Sequence, residues 1–148
     1  MSTSKKILMA LAILVVFMGM SVLVYANGSK DVPKLDVIYD GNKLKVGQGS
    51  YTWKSRFKEK DFSVDSYAEV IGRSYPLTKV APNSNLELIW DYQPDNITIS
   101  GGYRKNHAPV LRNNIIKIPD DSGTQIYFVK GEWKEGTVTY VIVVQIEK

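Results

Sequence analysis

Residues 126 to 146 read IYFVKGEWKEGTVTYVIVVQI, and their alternation decides the fold class. Tyr127, Val129 and Trp133 fall on one face, with Gly131 between them, while Ile126 and Phe128 fall on the other. Glu135-Gly136 supplies a turn. Val138, Tyr140, Ile142, Val144 and Ile146 then share one face, against Thr137, Thr139, Val141, Val143 and Gln145. A two-residue period marks a strand with one face in a core. Val141 and Val143 on the opposite face point to a central strand that is covered on part of both sides.

The same period recurs upstream. Leu35, Val37 and Tyr39 alternate with Asp36 and Ile38, and Asp40-Gly41-Asn42 is a tight-turn signal before Leu44 and Val46, so this segment predicts a hairpin. Gly47 and Gly49 predict a bulge or bend before Tyr51-Thr52-Trp53. Between Lys54 and Ser74 the pattern leaves helix, strand and loop open. Leu77–Val80 reads as a short strand, Leu86 to Asp91 as a clear one, and Ile97 and Ile99 continue after the Pro94-Asp95-Asn96 turn. Gly101 to Asn113 reads as a long loop, and Asn114 to Ile118 as a strand ended by Pro119. About nine short strands without a clear amphipathic helix predict an all-β fold, an antiparallel sandwich or barrel.

The chain of 148 residues opens with Lys5 and Lys6 before an uncharged apolar run, Ile7 to Ala26. Such a segment engages secretion machinery and keeps its positive end in the cytoplasm, so the rest is expected outside it. Two readings stay open. Val24-Tyr25-Ala26 has the small-x-small form of a signal cleavage site. A retained helix of about 18 residues would span about 27 Å, close to the hydrocarbon core of a bilayer. Residues 1–26 are therefore a signal peptide or membrane anchor, residues 27–34 (NGSKDVP and Lys34) a linker, and residues 35–148 the domain. Beyond residue 26 the 19 basic residues fall to 17 against 15 acidic ones, too balanced for a nucleic-acid surface. There is no Cys, which excludes disulfides, a lipid-modified Cys and a thiol nucleophile.

Asp121-Ser122-Gly123 followed by Tyr127 resembles the tyrosine corner of immunoglobulin-like sandwiches, with the Tyr two residues late and the disulfide cysteines missing. The resemblance implies an immunoglobulin-like antiparallel β-sandwich preceded by one N-terminal hydrophobic helix. Gly49-Ser50-Tyr51-Thr52-Trp53, Val64-Asp65-Ser66, the turn at Pro94 and the ending Ile126-Tyr127, Trp133 and Tyr140 also look like small uncharacterised extracytoplasmic proteins of Gram-positive bacteria. No activity comes with that resemblance.

Chemistry is sparse. The single histidine, His107, has no nucleophile elbow to serve, and one His without Cys is no zinc set. Asp120-Asp121 suits a turn better than a calcium loop. Asp61, Asp65, Glu69, Asp91 and Asp95 offer carboxylate pairs of the kind a glycosidase uses, but only their spatial separation could qualify them. The stretch Gly101 to Arg112 carries Arg104, Lys105 and Arg112, with Tyr103 and His107, and no acid occurs from Asn96 through Pro119. Such a basic loop would suit an anionic surface. Trp53 is the tryptophan expected at the surface, where it would add a stacking platform; Trp133 belongs to the core face. The expectation is a non-enzymatic binding or accessory domain without cofactor or metal. It would meet a protein partner or an anionic cell-surface polymer through Trp53, Tyr103, Arg104, Lys105, His107 and Arg112. Residues 7–26 would hold it to the membrane if uncleaved. A secreted inhibitor or matrix-type protein, cut after Ala26, is the alternative, and a wall-polymer hydrolase is a third reading.

Overall fold

Asp40 and Gly41 both have positive φ, 47° and 76°, the geometry a two-residue hairpin turn of primed type requires. They join β1 (Leu35–Tyr39) to β2 (Asn42–Lys43), with Ile38 opposite Lys43, as the Asp-Gly-Asn signal predicts. In the computed structural model, which describes residues 31–101 and 109–148, the further elements are β3 (Val46–Ser55), β4 (Lys58–Phe62), helix α1 (Tyr67–Gly72), β5 (Thr78–Val80), β6 (Asn85–Trp90), β7 (Asn96–Gly101), β8 (Val110–Arg112), β9 (Ile115–Lys117), β10 (Gly123–Trp133) and β11 (Gly136–Ile146).

Two sheets form. The first runs β2-β1-β6-β9-β8; the second runs β4-β3-β11-β10-β7, with β5 also on β11. All pairings are antiparallel except β5 with β11, where Val144 meets Thr78 and Ile146 meets Val80. β11 is the central strand its sequence predicts. β10 covers one flank for its full length, and β3 and β5 share the other end to end. The β3–β11 register slips between Val138 and Tyr140, opposite Gly49 and Ser50, which places the irregularity in the glycine segment.

The core lies between the sheets. Val37, Leu86, Leu88 and Ile116 come from the first, and Val129, Val138, Ile142, Val144 and Ile146 from the second. Each buried aliphatic side chain contributes about 1.5–3 kcal/mol over its exposed state, so this layer dominates stability. At one end Trp53, Trp90, Trp133 and Tyr140 pack edge to face, with ring centroids 5.4–5.6 Å apart along the chain of contacts.

A second, smaller core explains why Val141 and Val143 are apolar on the outer face. α1 lies over them and buries Val70, with Tyr67, Ile71 and Phe128 around it. Ser66 caps the helix by accepting a 3.2 Å hydrogen bond from the Ala68 N–H. A Cβ on Gly47 would stand 2.5 Å from Val70 Cγ1, and one on Gly49 2.7 Å from Tyr67 Cε1. These glycines therefore let the helix seat directly on the strand.

Several expectations need correction. The long loop from Gly101 to Asn113 ends in a strand, β8, and Asn113 and Asn114, at φ 49° and 60°, turn it back into β9. The tyrosine corner is not made: the buried Tyr127 hydroxyl has no hydrogen-bond partner among the described residues. The pin is Tyr140 instead, whose hydroxyl donates to the Pro33 carbonyl at 2.6 Å. That bond, with Val32 packed on the core and Lys34 N–H on Asp91 at 2.8 Å, fastens the end of the expected 27–34 linker to the domain. Among the described residues no helix is long and apolar enough to cross a membrane; the run 7–26 lies outside them.

Candidate binding surface

Strand parity sorts the β8–β9 hairpin. Leu111 and Ile116 turn inward, and Ile116 is fully buried. Val110, Arg112, Ile115 and Lys117 therefore face out from the first sheet. Val110 pairs with Lys117 and Arg112 with Ile115, so each apolar residue has a cation directly across the ladder. Val110 is 49 % exposed and Ile115 37 %, and Ile89 on β6 extends the apolar strip at 44 %. A shallow concavity of about 340 Å³ is lined by Asn85, Val110, Arg112, Asn113, Ile115 and Lys117.

The two cations differ. Lys117 Nζ is held by the Asn83 carbonyl and by Asn85 Oδ1, which fixes its position over the concavity. Arg112 has no ion-pair partner among the described residues, and its guanidinium is open to a ligand. No carboxylate lines the concavity; the neighbouring one is Glu87, opposite Ile115 on β6.

Of the residues the sequence singles out, Arg112 stands on this surface. Tyr103, Arg104, Lys105 and His107 lie outside the described residues, in the segment that leads into β8. Trp53 is a correction. It is 1 % exposed, edge-on to Trp133 at 5.5 Å, and so offers no stacking face to a ligand. The slip opposite Gly49 and Ser50 leaves Tyr51 and Trp53 both directed inward, paired with Val138 and Gly136. Val110, Ile115 and Lys117 were not singled out by sequence. Asn113-Asn114 between Val-Leu-Arg and Ile-Ile-Lys is the signal that finds them, because Asn tolerates the left-handed conformation a two-residue hairpin needs.

The carboxylates Asp61, Asp65, Glu69, Asp91 and Asp95 are all exposed. Asp61 lines an open, hydroxyl-rich depression with Thr52, Thr137 and Thr139, and no second carboxylate joins it there. The Glu132 carboxyl is held below its ordinary range by hydrogen bonds from Lys130 and Asn96 and by the Lys130 charge. Among the described residues no group of three or more His, Asp or Glu is placed to hold a metal ion. No protein-family model, curated protein or solved structure matches this chain.

Proposed function

We propose that this chain is a non-enzymatic binding or accessory domain that works outside the cytoplasm, held to the membrane by residues 7–26. Its outward β8–β9 face contacts an anionic cell-surface polymer, with Arg104 and Lys105 preceding that face in sequence. The supporting observation is the pairing of Arg112 and Lys117 with exposed Val110 and Ile115 around a concavity without carboxylates. Cations at opposite corners of the two-stranded face suit repeated anionic groups on a chain, and the apolar residues at the other two corners suit its backbone. The domain is read as an immunoglobulin-like sandwich preceded by one hydrophobic helix. The chain passes between the two stacked sheets five times, with β1 and β6 in one and β3 and β11 in the other, which supports that reading. The resemblance to Gram-positive extracytoplasmic proteins fits the same picture.

The apolar strip of Val110, Ile115 and Ile89 favours a protein partner as the second reading. Binding of the full chain, in nanodiscs, to poly(glycerol phosphate) over a range of salt separates the two. The combined R112A and K117A change should weaken polymer binding about tenfold and flatten its salt dependence. V110K should leave polymer binding intact or strengthen it. Unchanged affinity in the doubly substituted chain sinks the polymer reading. Intact mass of the native protein from membrane and medium fractions tests the tether. A species beginning at Asn27 in the medium replaces it with the secreted alternative.

A further inference from the structure

β3 is longer than the strand beside it. β4 pairs with Tyr51 to Ser55 only, ending where Phe62 meets Tyr51. The chain then leaves the sheet, with the Val64 N–H on Ser50 Oγ at 3.1 Å, and forms α1 on the outer face. Val46, Gly47 and Gln48 pair with β11 on one flank and, among the described residues, with no strand on the other. This bare half-edge borders a cleft of about 480 Å³. Tyr51 and Phe62 close one side, stacked at 5.7 Å with Phe62 half exposed, and Lys45, Arg73 and Ser74 close the other.

Sheet edges are ordinarily blunted by charge, proline or short length. The β4 edge follows that rule with Lys58, Glu59, Lys60 and Asp61, and β2 and β8 are two and three residues long. The bare part of β3 reads Val-Gly-Gln-Gly and has neither charge nor proline. Charge stands only at its end, and it is positive. Lys45 Nζ donates to the Arg73 and Tyr75 carbonyls at 3.2 and 3.3 Å, which orients the ammonium and leaves one of its three N–H groups for a ligand. Arg73 shares its guanidinium with Glu69, which does not line the cleft.

We propose that this cleft binds an extended peptide segment, which adds to Val46–Gly49 as a short strand and sets a carboxylate at Lys45 and Arg73. Strand addition supplies main-chain hydrogen bonds, and alternate side chains supply selectivity. Four residues at about 3.3 Å each match the bare length. An apolar side chain of the peptide lies on Phe62 and Tyr51. The carboxylate is either a chain terminus or an acidic side chain. This site is separate from the β8–β9 face and does not depend on the polymer reading.

The test uses the full chain in micelles and the peptide acetyl-Thr-Val-Thr-Val with a free C-terminal carboxylate. Its comparators are the C-terminal amide, an amide with Glu as its last residue, and two forms N-methylated at alternate residues. Binding is followed on the backbone amide resonances of Gln48 and Gly49. The acid is expected to bind with those shifts and about tenfold more tightly than the plain amide. One N-methylated form should lose at least about tenfold, because alternate N–H groups face the edge. The Glu-ended amide tells a side-chain source from a terminal one by whether it restores the affinity. K45M and F62A should each weaken the acid peptide while leaving polymer binding unchanged. Shifts mapping elsewhere, full affinity of both N-methylated forms, or no binding at millimolar peptide overturns the proposal. Self-association of the chain through the same amides also overturns it, since the occupant is then a second copy.

Discussion

Two buried tyrosines on adjacent strands give opposite expectations for the same substitution. Tyr140 donates to the Pro33 carbonyl at 2.6 Å, and both groups are buried. Y140F removes a net contribution of about 1 kcal/mol and leaves a desolvated carbonyl without a donor, so a loss of about 2 kcal/mol is expected. The Tyr127 hydroxyl is buried without a partner among the described residues. Y127F removes a group whose burial costs about 1–3 kcal/mol, offset by a small void, for a net gain of about 1 kcal/mol. With a urea slope of about 2 kcal/mol per molar, the two variants should differ in midpoint by about 1.5 M. Tryptophan fluorescence reports the transition, because Trp53, Trp90 and Trp133 all sit in the sandwich. The slope should stay constant. Y127F costing more than about 1 kcal/mol, or a neutral Y140F, would refute the reasoning.

Three further outcomes follow from particular residues. Burial pushes the Tyr127 phenol up to about 12, and burial followed by the Asp91 charge also raises Tyr140. The folded state thus favours the protonated phenols: their contribution is complete below the unfolded value of about 10 and is lost as pH rises toward 12, a fall in urea midpoint that Y127F should flatten. Gly136 has φ 153° and a Cβ there would stand 1.9 Å from the Thr52 carbonyl oxygen, whereas Gly41 at φ 76° has nothing within 4 Å. G136A should therefore cost more than about 2 kcal/mol and G41A about 1, and equal midpoints would contradict the packing described. S66A removes the cap on Ala68, and α1 amides should exchange about fivefold faster, a loss of about 1 kcal/mol in local stability.

Most of the fold was legible where alternation was long or turn chemistry was specific. β10 and β11 have eleven residues each, with one face of each facing the main core along most of its length, so the two-residue period overrides local noise. Asp40-Gly41 is nearly diagnostic of its turn. Short elements were not legible. α1 has six residues, too few for a helical period, and Ser66 acts as a cap only once Tyr67 and Val70 have a sheet to rest on. β8, three residues long, was hidden for the same reason. Trp53 was misplaced because burial depends on which face remains inward after the register slip, a tertiary fact. Of the candidate surface, Arg112 was legible as a charge in an acid-free stretch. Its partners Val110, Ile115 and Lys117 needed the hairpin register, and the bare edge of β3 is visible only as a mismatch between two strand lengths.

The placement of β11 bears on how the domain comes into being. It is the last strand in chain order, yet β10, β3 and β5 all bond to it. Position 46 waits for position 142 before it has any ladder partner. As the chain emerges end first, β3, β4 and β5 have no second sheet to join, and α1 has no floor. Contacts this distant in sequence make for slow closure. The β10–β11 hairpin, local and continuous, is then the natural template on which β3, β5 and β7 are gathered. Until β10 and β11 are made, β3, β5 and β7 are strands in waiting, and that hairpin turns them into one sheet.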